Sequence, residues 1–313
     1  MQVIQLQHPY DPDSIIKDPI VLALGFFDGV HLGHQKVIRT AKKIADERGT
    51  PLAVMTFNQH PKIVFSPMDE EEMRYLTTIE RKKELLEDLG VDILYLVQFT
   101  YDFGTQHPQD FVDRYMVGLH AQVVVAGFDY TYGPKGQTNM DTLVDHARGR
   151  FEVVSVPQQS FHNTKISSTQ IRDYLSSGQI EKANELLGYP YQTDGVVVHG
   201  LKRGRQMGYP TANIDTKDIE LLPSVGVYVV KIKVKEKWYQ GMTSIGYNIT
   251  FDTITGLTCE VYILDFDEMI YGEHVTIHWL HYLRGEVKFD GVESLIKQLD
   301  EDAVMTRAYF QEN

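Results

Sequence analysis

Short apolar runs alternate with amphipathic stretches over the first half of the chain. Runs of strand length occupy 20–27, 51–57, 93–99, 121–128 and 151–156. The stretches between them include "HQKVIRTAKKIADERG", which ends in the helix-stopping Gly49, and "IERKKELLEDLG", which ends in Gly90. Apolar strands separated by helices are typical of a parallel sheet covered on both faces. We therefore predict an α/β domain, in which ligands bind beyond the carboxyl ends of the strands.

The periodicity changes near residue 188. The segments "DGVVVHG", "GVYVVKIKVKEKWYQGMTSIG", "LTCEVYILDF" and "EHVTIHWLHYL" show much period-two alternation and are separated by turn residues. No further helical pattern occurs until 291–310. This predicts a small antiparallel β-barrel closed by a C-terminal helix. We expect a first domain over residues 1–187 and a second over 188–313.

The composition excludes several classes of function. A length of 313 residues exceeds the usual ~100–200 of one domain, and 42% hydrophobic with 23% charged residues is typical of soluble globular proteins. The net charge of −13 disfavours a nucleic-acid partner, because bulk binding to nucleic acid needs a basic face. A single cysteine, Cys259, excludes an internal disulfide and fits the cytoplasm. No signal peptide and no apolar run of the ~18–20 residues that span a bilayer is visible, so we expect no membrane partner.

The stretch "GFFDGVHLGHQ", residues 25–35, follows the first predicted buried strand. Gly33 lies where the strand-to-helix turn must tighten, His34 falls in the first helical turn, and His31 precedes it. A helix start offers unpaired N–H groups to a phosphate, and two imidazoles add donors for developing phosphoryl charge. The alternatives are histidines that only solvate a loop and an HxxH zinc pair. No G-x-x-x-x-G-K-[ST] sequence occurs, so an ordinary P-loop is not the phosphate device.

A second possible phosphate clamp is "KISSTQIR", residues 165–172. Ser168 or Thr169 can simply cap the following helix. However, Arg172 follows them by four and three residues, so all three side chains project from one side of the helix start. Hydroxyls and a guanidinium there suit phosphate, and the two clamps can converge at one sheet edge.

The segment "HGLKRGRQMGYPTANI", residues 199–214, carries glycine and basic residues in the second half. Its members suit a polyphosphate or, alternatively, form a solvated mobile loop: Gly200, Lys202, Arg203, Gly204, Arg205 and Gly208. Thr211 and Asn213 are two residues apart, so on a strand they face the same way. Two small oxygen ligands on one face suit Mg²⁺.

Glu260 lies in "TCEVYIL", where it shares a strand face with Thr258 and Tyr262. A carboxylate there is either a general base or, more commonly, an exposed strand residue. Cys259 lies on the opposite face with Val261 and is interpreted as a small core residue.

The first half resembles the adenylyltransferase half of bacterial bifunctional riboflavin kinase/FAD synthetases. The motifs that carry the resemblance are "GFFDGVHLGHQ", "LTTIERK" (76–82), "AGFDYTYG" (126–133) and "ISSTQIR", in matching order and spacing. The resemblance implies that His31, His34, Ser168 and Arg172 hold ATP phosphates while the FMN phosphate attacks the α-phosphorus. It also assigns nucleotide or phosphate contacts to Gly25, Phe26, Asp28, Gly33, Asp129, Ser167 and Thr169. Gln59 stands where the family often has proline, and Asp129 where some members have asparagine.

The second half is similar to the riboflavin kinase module over residues 188–313. The matching segments are "GRQMGYPTAN", "GVY" (226–228), "EVYILDFDEMIYG" (260–272) and "YLRGE" (282–286). The resemblance implies a six-stranded barrel in which Thr211 and Asn213 bind Mg-ATP and Glu260 deprotonates the terminal ribityl hydroxyl. The residues Asn248–Phe251 depart from the usual proline-threonine-phenylalanine ending.

These features together predict a bifunctional enzyme. Riboflavin and ATP would give FMN, and FMN and ATP would give FAD and pyrophosphate, with Mg²⁺ as the cofactor and flavins and ATP as partners. The chain would be a monomer or a homo-oligomer. One alternative is a nucleotidylyltransferase for another phosphorylated acceptor, with the barrel used only for binding. Another is a flavin-sensing regulator without turnover, which a retained general base disfavours.

Overall fold

A computed structural model describes residues 1–66, 73–134, 136–161, 164–200, 204, 207–250 and 253–312. The chain divides into two compact units, Met1–Ser168 and Thr169–Asn313. In the part of the chain that the structure describes, no helix combines the length and the apolar character that crossing a membrane requires.

The first unit contains a sheet of six parallel strands. The strands are β1 (Gln2–Leu6), β2 (Ile20–Leu24), β3 (Leu52–Phe57), β4 (Ile93–Val97), β5 (Ala121–Gly127) and β6 (Glu152–Val156). Their order is β1-β4-β3-β2-β5-β6, and all neighbours run parallel. This confirms the predicted parallel sheet, and each of the five predicted apolar runs forms one of its strands. Every residue of β2, β4 and most of β5 is buried, as a sheet covered on both faces requires.

Helices connect these strands. They are α1 (Leu32–Arg48), α2 (Pro61–Phe65), α3 (Ile79–Asp88), α4 (Tyr101–Gly104), α5 (Pro108–Val112) and α6 (Met140–Ala147). A 3₁₀ turn covers Pro12–Ser14, a π turn covers Asp113–Val117, and the short strands β7 (Ser160–Phe161) and β8 (Thr164–Lys165) form a hairpin. As predicted, Gly49 ends α1, with a left-handed φ of 65°.

Strand β1 is absent from the sequence prediction. Its burial alternates, with Ile4 and Leu6 inside and the glutamines outside. It lies at the edge of the sheet, where only one neighbour is needed, so its sequence lacks the continuous apolar run of the central strands.

The second unit contains a closed antiparallel barrel. Its strands are β9 (Tyr191–Val198), β10 (Thr211–Thr216), β11 (Gly226–Val234), β12 (Lys237–Thr250), β13 (Thr253–Ile263) and β14 (His274–Arg284). They close in the order β10-β13-β12-β11-β14-β9. The predicted six-stranded barrel and the C-terminal helix, α9 (Val292–Glu312), are both confirmed.

Two helices before the barrel, α7 (Ser168–Ser176) and α8 (Ile180–Leu187), pack with the second unit. The Asn184 side chain donates to the Trp279 carbonyl (2.8 Å) and accepts from the backbone N–H of Tyr191 (2.7 Å). The backbone N–H of Ser224 donates to the Leu175 carbonyl (3.0 Å). The compact units therefore divide at 168/169, and the domain boundary at 187/188 stays a prediction.

This packing predicts that a fragment of residues 169–313 is more stable than one of residues 189–313. The shorter fragment loses α7 and α8, whose buried side chains are Ile171, Leu175, Ile180, Ala183, Leu186 and Leu187. Each large apolar side chain contributes about 1.5–3 kcal/mol on burial, so the free energy of unfolding should fall by several kcal/mol. Urea unfolding of both fragments, followed by circular dichroism, measures the difference. Equal midpoints would show that α7 and α8 contribute nothing to the stability of the barrel.

Candidate active sites

The turn between β2 and α1 places polar groups in a buried environment. His31 is the N-cap residue of α1, and Gly33 and His34 lie in its first turn, as the sequence predicts. Phe27 and Val30 have positive φ angles of 54° and 33° and are 2% and 0% exposed. Such angles are strained for residues with side chains, and strain of this kind is found where the surrounding structure holds the backbone in place.

The carboxylate of Asp28 holds this turn to the segment before α3. Its Oδ1 accepts hydrogen bonds from the backbone N–H groups of Leu76 (3.0 Å) and Thr77 (3.3 Å). The Thr77 hydroxyl accepts from the backbone N–H of Gly29 (3.1 Å). The Ser168 hydroxyl donates to the Asp28 carbonyl (2.9 Å) and so links the second predicted motif to the first. Asp28 is 4% exposed, and its contacts show that it shapes the turn.

The rings of His31 and His34 stack, with centroids 3.6 Å apart and an angle of 16° between their planes. Nδ1 of His31 accepts from the backbone N–H of His34 (3.2 Å). A neutral His31 therefore carries its proton on Nε2, where it can donate to a ligand. Burial lowers the pKa of His31 to about 4, so this neutral form is present at pH 7.

The ring of His34 is also held in its neutral form. Burial lowers its pKa well below the usual value, and the charges of His31 and Lys82 lower it further. Its Nδ1 is buried and has no hydrogen-bond partner among the described residues. A buried polar atom without a partner indicates a group that a ligand or water satisfies.

Sequence reasoning missed Lys82 on α3 and Thr77 before it. Lys82 is 4% exposed, and its Nζ donates to the Phe26 carbonyl (2.8 Å) and lies 4.3 Å from the centroid of the Phe26 ring. Both residues lie in "LTTIERK", which carried the resemblance but was given no role. Lys82 lies three and four residues before the buried Leu85 and Leu86, so helical spacing places it on the same face. A lysine at such a position usually extends its charge into solvent, and only the tertiary structure shows that Lys82 is buried.

The remaining predicted residues of the first site lie in three places. Gly25 follows β2, and a side chain there would meet the Phe27 ring at 2.8 Å, which explains the glycine. Asp129 is exposed after β5. Ser167 directly precedes α7, whereas Ser168 and Thr169 are its first two residues. Thr169 and Arg172 lie on α7 and belong to the second unit.

The barrel places Thr211, Asn213 and Glu260 on neighbouring strands. In the register of β10 and β13, Asn213 is opposite Glu260 and Thr211 is opposite Tyr262. The Thr211 hydroxyl donates to Oε2 of Glu260 (3.0 Å). A side chain at Gly200 would meet the Asn213 amide at 2.2 Å, so glycine is required for this close approach.

Thr211 lines two cavities of the barrel. The smaller, about 270 Å³, is also bounded by Val197, Pro210, Phe266 and Tyr271. The larger, about 790 Å³, is bounded by the side chains of the Glu260 face, with Arg284, Asp302 and Tyr247. Thr211 therefore lies at the border between the smaller cavity and the larger cavity, which contains Glu260.

Sequence reasoning also missed the ion pair between Arg284 and Asp302. Nη2 of Arg284 lies 2.6 Å from Oδ2 of Asp302, and its Nε lies 2.9 Å from Oδ1. Asp302 is 0% exposed, so the pair holds α9 against the wall of the larger cavity. The motif "YLRGE" contains Arg284, but nothing in the sequence shows which helix residue it meets.

Other predictions for this unit concern the core and the basic segment. Cys259 is 2% exposed, and burial raises its pKa to about 12, in agreement with the interpretation as a core residue. Gly204 and Gly208 lie between β9 and β10, whereas Lys202, Arg203 and Arg205 fall outside the described residues. Within the described ranges, no group of three or more His, Cys, Asp or Glu residues could hold a metal ion.

Comparison with known proteins assigns both units. The family model for FAD synthetase matches residues 14–170, and the model for riboflavin kinase matches residues 187–310. The bifunctional riboflavin kinase/FMN adenylyltransferase of Listeria monocytogenes is 52% identical over 99% of this chain and 98% of its own. That of Bacillus subtilis is 42% identical, with the same coverage of both chains. The chain belongs to the bifunctional riboflavin kinase/FMN adenylyltransferase family.

A solved structure shares the complete fold. It is described as a macrolide-efflux protein from Streptococcus pneumoniae and is 37% identical, with a TM-score of 0.90 over 98% of this chain and 99% of its own. That description is a statement about the pneumococcal protein. The likeness shows that an α/β unit and a barrel of this kind also occur together in the pneumococcal chain.

The departures from the usual riboflavin kinase/FMN adenylyltransferase pattern have different structural settings. Nε2 of Gln59 donates to the Phe99 carbonyl (2.8 Å), so this side chain caps a backbone group. Asp129 keeps an oxygen acceptor in a solvent-exposed position. Asn248 lies within β12, and Phe251 is outside the described residues.

The buried imidazoles predict a loss of stability in acid. The pKa of His31 falls from 6.5 in the unfolded chain to about 4, so protons bind preferentially to the unfolded state between these values. Stability should therefore be full above pH 6.5 and fall as the pH drops towards 4. At pH 5 the loss due to His31 should be about 2 kcal/mol.

The test compares urea unfolding at pH 7 and pH 5 for the wild type and His31→Asn, which keeps an N-cap acceptor but does not titrate. His31→Asn should lose about 2 kcal/mol less than the wild type. His107→Asn, at the exposed N-cap of α5, is the control. An unchanged pH dependence in His31→Asn would contradict the assignment of a neutral, buried His31.

Proposed function

We propose that this chain forms FMN at the barrel and FAD at the β2–α1 turn. The proposal is supported by one observation: each segment that a family model matches contains its own polar site. The His31 and His34 pair lies within 14–170, and the Thr211 and Glu260 pair lies within 187–310. The substrates are riboflavin, FMN and ATP, as the family name implies.

In the kinase reaction, Glu260 acts as the general base. Its carboxylate takes the proton of the terminal ribityl hydroxyl of riboflavin, and the oxygen then bonds to the γ-phosphorus of ATP as the bond to ADP breaks. The larger cavity suits the flavin because it contains Glu260, and the smaller cavity suits the nucleotide. Thr211 lines both, as a residue at the point of transfer must.

The residues Thr211 and Asn213 fit a magnesium ion. Their hydroxyl and amide oxygens are hard donors, and Mg²⁺ accepts few protein ligands besides water and phosphate. When bound, the ion would neutralise charge on the ATP phosphates. Gly200 keeps the Asn213 side chain in place beside the backbone. The residues Lys202, Gly204, Arg205 and Gly208 are proposed contacts of the nucleotide phosphates.

In the adenylyl transfer, an oxygen of the FMN phosphate bonds to the α-phosphorus of ATP, and pyrophosphate leaves. His31 and His34 are neutral, so each stabilises the developing charge as a hydrogen-bond donor. Ser168 and Asp28 keep the turn in shape through their hydrogen bond. Further proposed phosphate or nucleotide contacts are Gly25, Phe26, Gly33, Asp129, Ser167, Thr169 and Arg172.

The variant His34→Ala should lose FAD synthesis and keep FMN synthesis. It removes a donor to the transition state, so the rate of adenylyl transfer should fall by about 10²–10³. Supplying riboflavin or FMN with Mg-ATP and separating the products by chromatography measures both rates in one protein. His107→Ala, an exposed histidine, is the control. Equal loss of both reactions in His34→Ala would contradict separate sites.

The variant Glu260→Gln tests the proposed base. The amide preserves the size of the side chain but cannot accept the proton, so riboflavin phosphorylation should fall by about 10²–10⁴. Riboflavin affinity and FAD synthesis from supplied FMN should change little. The control is Glu273→Gln, at a glutamate 41% exposed at the side chain. Near-normal kinase turnover in Glu260→Gln would show that Glu260 is an ordinary strand carboxylate.

A further inference from the structure

Lys82 is a buried cation that the proposed chemistry does not use. It belongs to α3, yet only 4% of its surface is exposed. Among the described residues, the Phe26 carbonyl is the only hydrogen-bond acceptor for its ammonium group, at 2.8 Å. An ammonium group has three donors, so two of them make no hydrogen bond within the described structure.

A lysine in this position is costly for stability. Removing an ammonium group from water costs several kcal/mol unless charges and hydrogen bonds compensate. Asp28 is the charge that favours the protonated form, but both of the hydrogen bonds shown for its Oδ1 come from backbone N–H groups. A buried methionine of similar length would avoid this cost, so the fold alone does not explain the lysine.

The contacts of Lys82 converge on the residue that begins the catalytic turn. The Phe26 carbonyl accepts from both Lys82 and the Thr56 hydroxyl (2.8 Å), which fixes the peptide group. The ammonium group lies 4.3 Å from the centroid of the Phe26 ring, a cation–π contact. At the other end of the turn, the positive charge of Lys82 lowers the pKa of His34 and so disfavours a proton on its ring.

We infer that Lys82 is a positioning residue for adenylyl transfer, whose positive charge fixes Phe26 and the turn that carries His31 and His34. This inference rests on the proposed function of that turn. Displacing catalytic groups by about 1 Å can cost about 10²-fold in rate, so a residue that holds the turn can control kcat without touching a substrate.

The charge of Lys82 is itself sensitive to pH. Burial lowers its pKa to about 8, so the ammonium group loses its proton as the pH rises through that value. Adenylyl transfer should therefore slow above pH 8. The titratable groups around Lys82 and the Phe26 ring are Asp28, His31, His34, His60 and Tyr75.

The test uses the full-length protein with two substitutions at one position. Lys82→Met keeps the length of the side chain and removes the charge, and Lys82→Arg keeps a charge that does not titrate below pH 12. Lys43→Met, at a lysine whose side chain is 78% exposed, is the matched control. kcat and KM for FAD formation from FMN and ATP are measured from pH 6.5 to 9.5. Circular dichroism of each variant is the control for folding of the first unit, and riboflavin phosphorylation is the control for the barrel.

In Lys82→Met, kcat for adenylyl transfer should fall by about 10–100-fold, with KM for ATP and FMN within about threefold of the wild type. The decrease in rate expected above pH 8 in the wild type should be absent in Lys82→Arg. Riboflavin phosphorylation should be unchanged in all variants.

Three results would overturn the inference. An unchanged kcat in Lys82→Met would show that Lys82 does not position the turn for adenylyl transfer. A large increase in KM for ATP with kcat retained would show that Lys82 contacts the ligand instead. A wild-type rate that stays constant to pH 9.5 would exclude the role of the charge even if the variants failed to fold. If the wild type itself makes no FAD, the proposed function fails and not this inference alone.

Discussion

The first unit depends on the turn that follows the buried strand β2, because the polar backbone groups of this turn need hydrogen-bond partners within the protein. Strand β2 is fully buried between β3 and β5, and the turn after it is almost as enclosed. Its polar groups are satisfied by the segment 76–82, through the Asp28 carboxylate, the Thr77 hydroxyl and the Lys82 ammonium group. These fixed partners explain how the strained angles of Phe27 and Val30 are tolerated, because the surroundings determine the backbone more strongly than its local preference does.

The same dehydration sets the chemistry of the turn. Burial keeps the imidazoles of His31 and His34 neutral, which suits the proposed role of both as oriented donors that need no reorganisation when charge develops on phosphorus. The barrel differs, because the groups proposed to react there project from one face of paired strands. There Glu260 lies opposite Asn213 and within a hydrogen bond of Thr211, beside a cavity large enough for an organic substrate. The proposed chemistry therefore differs between the units: buried hydrogen-bond donors stabilise charge in one, and a proton acceptor acts beside oxygen ligands in the other.

Much of the fold could be predicted because it follows from periodicity. Buried parallel strands give continuous apolar runs, and barrel strands give alternation, so the sheet, the barrel and α9 all follow from the sequence. Strand β1 could not be found in this way, because an edge strand needs few apolar residues. The motifs placed His31, His34 and Glu260 in polar sites, but they gave no indication of Lys82 or Asp302. Charged side chains usually reach solvent even from the apolar face of a helix, so only packing against distant segments shows that these two are buried.

The negative net charge of the chain makes the groups close to the proposed phosphate sites more important for binding. A net charge of −13 opposes the approach of ATP and FMN, which are themselves anions. At physiological ionic strength, charges further away than about 8 Å are largely screened, so distant acidic residues weaken binding little. Attraction must then come from groups within a few ångströms of the phosphates. In the first unit the groups proposed for this role are the N-terminus of α1 and the two imidazoles, and their enclosure in a medium of low dielectric constant makes each of them more effective than it would be in water.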